Sequence, residues 1–173
     1  MRAGVLGLIL FCLTSCQKTD RVFPDITSEG HHHLGFYIDH EEWIPQSDPY
    51  FEDHELPTPI IEDGKIKISA SRTDEKNSAR NWFCMEFENP EMKTGVFSMN
   101  ENGCPSIYQS HYYGSKSHKQ SQRYHLNERH HNFVNLSRFD TVQKIISGTF
   151  SLSAISNLND TINISSGRFD LKY

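Results

Sequence analysis

Histidine is the residue type in this sequence with the clearest potential for metal chemistry. Ten histidines occur in 173 residues, and the candidate ligands are His31, His32, His33, His130 and His131. Neutral imidazoles bind zinc, copper or nickel, and adjacent histidines bind them weakly even without a fold. A built metal centre needs three or four converging ligands, and the sequence has no H-E-x-x-H spacing. Solvated loop histidines are the simpler interpretation, so we predict no metal site and keep a histidine-based metal binder as an alternative.

Sequence signatures of catalysis are missing from the chain. It has neither the G-x-S-x-G turn that presents a serine nucleophile nor a glycine-rich phosphate loop. Residues 39–63 contain nine carboxylates and four prolines but no lysine or arginine. We expect this acidic segment to run irregularly over the surface, and it lacks the Asp-x-Asp-x-Asp-Gly spacing of a calcium loop. The sequence therefore predicts a protein that is not an enzyme and has no cofactor.

The N-terminus has the layout of a secretory signal. Arg2 supplies a positive charge, residues 5–13 form an apolar run, and small polar residues follow. A membrane-spanning helix needs about 20 apolar residues, so this run is too short to span a bilayer. We predict that residues 1–15 are a signal peptide.

Cys16 ends that segment in the sequence Leu13-Thr14-Ser15-Cys16, which resembles the bacterial lipobox. In that motif the chain is cleaved before the cysteine, and the thiol carries a diacylglyceryl group. Cys16 is therefore the predicted lipidation site, where each buried methylene would contribute about 0.8 kcal/mol to membrane binding. An ordinary secretory signal with an incidental cysteine is the alternative. Gln17 follows instead of aspartate, which favours the outer membrane, and the next residues partly resemble the surface-display tag of Bacteroidetes lipoproteins.

The remaining composition suits one exported domain. Removal of residues 1–15 leaves 158 residues and changes the net charge from −5 to −6, which argues against a nucleic-acid partner. Cys84 and Cys104 would then be the other two thiols of the mature chain. In an oxidising compartment they can form a disulfide if their strands are neighbours. Two buried thiols on different faces are the alternative.

Alternating polar and apolar residues predict β-strands along most of the chain. The predicted strands are residues 35–40, 42–44, 65–71, 83–88, 96–99, 107–113 and 133–139. Frequent Gly, Pro, Asn and Ser leave no convincing amphipathic helix of ten or more residues. We therefore predict an all-β protein with a single antiparallel β-sandwich, and a lipocalin-like β-barrel is the alternative.

The most regular alternation lies in residues 144–173, which we predict to form a closing antiparallel hairpin. Turn residues at 157–160 separate its two strands. The second strand first buries Ile162 and Ile164 and then changes phase to bury odd-numbered residues such as Phe169. A phase change of one residue requires a β-bulge, which we predict at 165–167 with Gly167 at positive φ.

This hairpin also resembles a known group of proteins. Ile146-Ser147-Gly148-Thr149-Phe150 and Gly167-Arg168-Phe169-Asp170 are similar to the closing hairpin of small Bacteroidetes lipoproteins of unknown function. Residues 35–43 resemble their opening hairpin, although Asp39-His40 replaces the usual Asn-Gly turn. The resemblance implies an all-β, outer-membrane-associated lipoprotein and no activity.

Two short sequences resemble the sites at which Bacteroidetes O-glycosylate exported proteins. They are Asp140-Thr141-Val142 and Asp160-Thr161-Ile162, so Thr141 and Thr161 are candidate glycosylation sites. Both fall at predicted turns, where a glycan would be exposed.

Together these patterns predict three segments: a signal peptide at 1–15, a flexible lipidated tether at 16–33 and an antiparallel β domain at 34–173. We expect a protein anchored by lipid in the outer membrane, on its periplasmic or its exterior side. Its predicted partners are the membrane and an unidentified protein, glycan or small molecule. A small-ligand carrier would need a barrel with an internal apolar cavity.

Overall fold

The computed structural model describes residues 23–46, 57–74, 79–99, 107–111 and 122–173. These residues form β-strands joined by turns, and among them no helix has the length and apolar character needed to cross a bilayer. The strands are β1 (His33–Ile38), β2 (Glu41–Trp43), β3 (Thr58–Glu62), β4 (Lys65–Asp74), β5 (Ala79–Glu88), β6 (Gly95–Ser98), β7 (Ile107–His111), β8 (Gln122–Leu126), β9 (Phe133–Asp140), β10 (Ile145–Ser156) and β11 (Thr161–Lys172).

The strands pair antiparallel, and the sheet divides at β10. On one edge, residues 145–151 of β10 pair with β9, whereas residues 154–156 pair with β8. From β9 the sheet continues to β6, and from β8 it continues through β7, β5 and β4 to β3. On its other edge β10 pairs with β11, which is followed by β1 and β2. The long strand β10 therefore belongs to both branches.

Two asparagines occupy the point where the branches separate. The Asn132 side chain accepts a hydrogen bond from the backbone N–H of Ser153 at 2.8 Å and donates one to the Asn127 carbonyl at 2.8 Å. The backbone N–H of Asn127 donates in turn to the Ser153 carbonyl at 2.8 Å. All three residues are buried. These bonds satisfy the backbone of β10 where neither β8 nor β9 pairs with it, as a buried backbone requires.

The branch that runs from β8 to β3 packs face to face against the rest of the sheet over one apolar core. Phe36 of β1 and Phe83 of β5 have ring centroids 4.6 Å apart, and Phe83 lies 5.5 Å from Phe150 of β10. Farther along the core, Phe87 of β5 meets Phe97 of β6 at 5.7 Å. Because alternate residues of a strand point to one face, these contacts arise from the alternation seen in the sequence.

The sheet is not closed into a barrel. Its path runs from β2 to β3, and these two end strands do not pair with each other. One isolated bridge, between Gln46 and Arg72, links the segment after β2 to β4. The structure therefore confirms the predicted all-β antiparallel class and is consistent with a sandwich. The lipocalin-like barrel was the wrong alternative.

The closing hairpin formed by β10 and β11 is confirmed, and so is its bulge. Phe150 pairs with Gly167 and Leu152 pairs with Ile164, so one residue of β10 faces two residues of β11. The prediction of the strained residue was wrong, because Ser166 takes positive φ, at 51°, and Gly167 does not. Glycine is required at 167 for space instead, since a Cβ there would lie 2.6 Å from the Phe150 ring.

The predicted strands correspond to β1, β2, β4, β5, β6, β7 and β9, with small shifts at their ends. Residues 39–40 form the β1–β2 turn instead of extending β1, and both take positive φ, at 46° and 79°. Positive φ at both central residues is the geometry for which Asn-Gly is preferred. The turn of Asp39-His40 thus keeps the conformation despite the different sequence.

Two strands were missed by the sequence prediction. β3 lies inside the acidic segment predicted to be irregular, and it pairs with β4 along its whole length. It is an end strand of the sheet, where a residue such as Pro59 is tolerated because one side of the strand needs no partner. β8 was missed because its five residues show too little alternation to stand out.

The predicted tether, residues 16–33, is described from residue 23 onward. β1 begins at His33, and residues 23–32 lie against the outer face of the sheet, away from the core. We call residues 23–32 the N-terminal strap. Residues 16–22 of the predicted tether and the predicted signal peptide lie outside the described residues.

Candidate functional site: the anchorage of the N-terminal strap

The N-terminal strap runs along β11 in the direction opposite to β1. Its first residue, Phe23, stacks on Tyr37 near the end of β1, with ring centroids 4.5 Å apart. Pro24 packs over Gly35, where an added Cβ would lie 2.8 Å from the proline ring. Gly30, near the other end of the strap, lies close to the side chains of Lys172 and Ile145. Residues 23–30 thus pass from the middle of β11 to its C-terminal end.

Asp170 of β11 holds the second half of the strap. One oxygen, Oδ2, accepts hydrogen bonds from Thr27 Oγ1 at 2.7 Å, from Glu29 N at 2.9 Å and from His31 N at 3.3 Å. The other, Oδ1, accepts from Gly30 N at 2.7 Å and from Ser147 Oγ at 2.6 Å. We call this carboxylate and its five donors the Asp170 clamp.

The Asp170 clamp is an anionic group fully removed from solvent, with 1% of the residue exposed. Burial by itself raises the pKa of the carboxyl group. The hydrogen bonds from Ser147, Thr27, Gly30 and Glu29 favour the charged form more strongly, so the pKa lies well below its usual range. Asp170 is therefore a carboxylate at every physiological pH, and its negative charge is stabilised by hydrogen bonds from the protein.

Arginines fasten the rest of the strap to the same face. Arg168 Nη1 donates to the Pro24 carbonyl at 2.7 Å, and its guanidinium carbon lies 4.4 Å from the centroid of the Phe23 ring. Arg168 thus combines a hydrogen bond with a cation–π contact. Arg138 of β9 donates through Nη1 to the Ser28 carbonyl. The strap is consequently tied to β9 and β11 as well as to its own continuation in β1.

The chemistry of this arrangement is attachment of the chain rather than binding of a small ligand. Each oxygen of Asp170 already receives at least two donors from the protein, which occupies the lone pairs a metal or substrate would use. Ser147 donates its hydroxyl proton to Asp170 at 2.6 Å and is itself completely buried, so its hydroxyl serves the clamp and does not face solvent. The strap anchorage therefore fixes the position from which the preceding residues leave the domain.

Two turns mark opposite ends of β10. Residues 157–160 join β10 to β11. We call them the near turn because they lie next to the β1–β2 turn, where Asp39 N donates to the Asn163 carbonyl at 3.0 Å. The far turn, residues 141–144, joins β9 to β10 beside Lys172. Asp140 Oδ1 shapes the far turn by accepting from Val142 N at 3.0 Å and Gln143 N at 2.8 Å. These bonds and the one from Arg138 lower the pKa of the Asp140 carboxyl group.

The candidate glycosylation sites lie at these two ends and are not brought together. Thr141 is exposed on the far turn, and Thr161 is exposed at the first position of β11, where it pairs with Ile155. Thr141 is followed by Val142, which is 89% exposed. Glycosylation of either threonine stays a prediction.

The candidate histidines are exposed and do not form a metal centre in the described part of the chain. His31 Nε2 lies 2.9 Å from Glu29 Oε2, and the rings of His31 and His33 are 5.6 Å apart. His131 instead contacts the ring of Phe133. No group of three or more His, Cys, Asp or Glu side chains that could hold a metal ion occurs among the described residues.

The cysteines are only partly described. Cys84 on β5 is disulfide-bonded. Its predicted partner, Cys104, lies outside the described residues, as does the predicted lipidation site Cys16. The pairing of Cys84 with Cys104 and the lipidation of Cys16 therefore stay predictions.

Sequence reasoning missed the Asp170 clamp. Asp170 lies between the core residues Phe169 and Leu171, so alternation assigns it to the outer face, where carboxylates are usually solvated. Gly30 takes φ of 78° and has almost no space for a Cβ, but a single glycine in a polar segment reads as a loop. The serine opposite Asp170, Ser147, was the only local indication of a buried polar contact.

No protein-family model, curated protein or solved structure matches this chain.

Proposed function

We propose that this protein is a non-enzymatic lipoprotein of the outer membrane. In this proposal the thiol of Cys16 carries the lipid, and the β-sandwich is held at the periplasmic or exterior surface to bind a protein, glycan or small molecule. The observation that carries the proposal is the sequence Leu13-Thr14-Ser15-Cys16 directly after a short apolar run. The thiol there is preceded by a small residue, as lipobox processing requires.

The described end of the chain is suited to bearing a load from such an anchor. A force on the residues before Phe23 is transmitted to the strap, which is bonded to β9 and β11 and continues into β1. Hydrogen bonds to charged groups contribute about 1.5–3 kcal/mol each, more than bonds between neutral groups. The strap anchorage thus connects the proposed lipid to the centre of one layer of the sandwich.

Metabolic labelling with radioactive palmitate in a bacterium that processes lipoproteins tests the proposal. We expect label on the full chain and none on Cys16→Ala. Cys12→Ala is the matched control, because it removes a thiol from the same segment but should keep the label. A wild-type protein that is exported without palmitate, or a Cys16→Ala variant that is labelled like wild type, would contradict the proposal.

A further inference from the structure

We infer that His31 and His33 form a two-histidine chelate that binds a divalent transition-metal ion, copper(II) most tightly, on the surface of the domain. The two imidazoles are the protein ligands and water completes the coordination, so the site differs from a built centre with three or four side-chain ligands. The inference goes beyond the proposed function and does not depend on lipid at Cys16. It selects two of the five candidate histidines and leaves out His32, which lies between them.

The rings of His31 and His33 lie side by side. Their centroids are 5.6 Å apart, and the angle between the ring planes is 31°. Imidazole nitrogens bind these metals at about 2.0–2.1 Å, so two rings that share one ion have centroids about 4.5–6.5 Å apart. Both residues are exposed, and an ion can reach them from solvent. The observed separation lies inside this range, so a shared ion requires at most a rotation of the two side chains.

Glu29 orients the His31 ring. Glu29 Oε2 lies 2.9 Å from His31 Nε2. An ionised carboxylate can only accept a hydrogen bond, so Nε2 carries the proton of the neutral ring and Nδ1 keeps its lone pair. Metal-binding histidines commonly donate one N–H to a carboxylate and bind the ion through the other nitrogen. Glu29 therefore fixes the tautomer in which His31 can act as a ligand.

The Asp170 clamp holds the backbone on both sides of the pair. His31 N donates to Asp170 Oδ2 at 3.3 Å, and His33 pairs with Asp170 in the register of β1 and β11. Between them, His32 takes positive φ, at 57°, where the strap turns into β1. Because the two ligand residues are already fixed, metal binding costs less conformational freedom than it would in a flexible run of histidines.

The type of donor decides which ions fit the chelate. Neutral imidazole suits copper, nickel and zinc, whereas calcium and magnesium prefer oxygen ligands. For one set of nitrogen ligands, the affinity rises from nickel to copper and falls again at zinc. We therefore expect copper(II) to bind most tightly, nickel and zinc to bind more weakly, and calcium and magnesium not to compete at the same concentrations.

Calorimetric titration with copper(II) alone tests the chelate. The parent protein is the full chain without a histidine tag, and it carries Cys12→Ala and Cys16→Ala because free thiols would compete for copper. His31→Ala and His33→Ala should each lower the affinity of the tightest site at least about tenfold, since each leaves a single imidazole. The double variant should lose little more than either single variant. Circular dichroism checks that every variant is folded.

His32→Gly is the matched control. It removes an imidazole from the same run of three histidines, and φ of 57° suits glycine, so the backbone is kept. The copper affinity should stay within about twofold of the parent. A loss as large as that of the other two variants would mean that the run binds without the fold, and it overturns the inference. Absence of binding to the parent, or unchanged affinity in His31→Ala or His33→Ala, overturns it as well.

Amide hydrogen exchange tests the link between the chelate and the Asp170 clamp. Zinc bound by His31 and His33 should slow exchange at the N–H groups of Gly30 and His31, because release of the strap would then require the ion to leave. The same zinc concentration should have no effect on His33→Ala. Equal exchange in the parent with and without saturating zinc overturns the assignment of the bound ion to this position.

Discussion

Replacement of Asp170 by asparagine should be among the most destabilising single-atom changes in this fold. Asparagine has the same shape but keeps only one acceptor oxygen, so two or three of the five donors of the Asp170 clamp lose their partner. Each buried donor left unsatisfied costs about 1–3 kcal/mol. Release of the strap into solvent limits the total, so we expect a loss of about 2–5 kcal/mol in the free energy of unfolding.

Thermal unfolding followed by circular dichroism measures this loss. A change of 1 kcal/mol shifts the midpoint of a domain of this size by about 2–4 °C, so a loss near 3 kcal/mol should lower it by about 6–12 °C. Amide hydrogen exchange should also become faster in residues 23–32, because their N–H groups lose the carboxylate. Asp25→Asn, at an exposed position on the same strap, should leave both measurements close to wild type.

The free energy that Asp170 contributes to folding should depend on pH, and the direction of this dependence follows from its lowered pKa. Because folding lowers the pKa of Asp170, its stabilising contribution is complete above the ordinary carboxyl pKa of about 3.9 and is lost as the pH falls below it. The difference in stability between wild type and Asp170→Asn should therefore be constant near neutral pH and shrink in acid below about pH 4. A difference that is under about 1 °C at neutral pH, or that grows in acid, would refute this account of the clamp.

Four further substitutions test the backbone and the core by thermal or urea unfolding. Gly167→Ala should cost about 1–3 kcal/mol, because its methyl group would overlap the Phe150 ring, whereas Ser166→Gly next to it should gain about 0.5–1 kcal/mol by relieving positive φ; equal effects of the two would contradict the assigned bulge. Asn132→Ala should cost about 1–3 kcal/mol, since a buried N–H of β10 loses its acceptor, and a neutral result would mean that water replaces the side chain. His40→Gly should raise the unfolding midpoint, with a gain of about 0.5–1 kcal/mol, because φ of 79° suits glycine; a lower midpoint would show that the histidine ring contributes more than the strain.

The parts of the fold that could be predicted from the sequence are those whose reason for forming is local. Alternation in β10 and β11 reflects one buried face, and the phase change between Ile164 and Phe169 required the bulge that the structure has. The choice between Ser166 and Gly167 for positive φ could not be made from sequence. It depends on the Phe150 ring, which occupies the space beside residue 167 from the neighbouring strand.

The parts that could not be predicted depend on partners far away in the chain. The strap has no periodicity of its own, and the residue that holds it, Asp170, is about 140 residues later. Local pattern gives no sign that residues 23–32 and Asp170 contact each other. β3 was missed similarly, since Pro59 reads as a break unless the strand is known to lie at the end of a sheet.

The pairing of β1 with β11 has a consequence for the order in which the molecule can assemble. β1 pairs with β11, and the strap is bonded to Asp170 and Arg168 of the same strand, so this part of the domain cannot become native before β11 is available. Folds dominated by such distant pairings form slowly, in milliseconds to seconds. A chain in which residues 23–38 are present without residues 164–172 would therefore leave β1 without its long partner strand and the strap without its carboxylate.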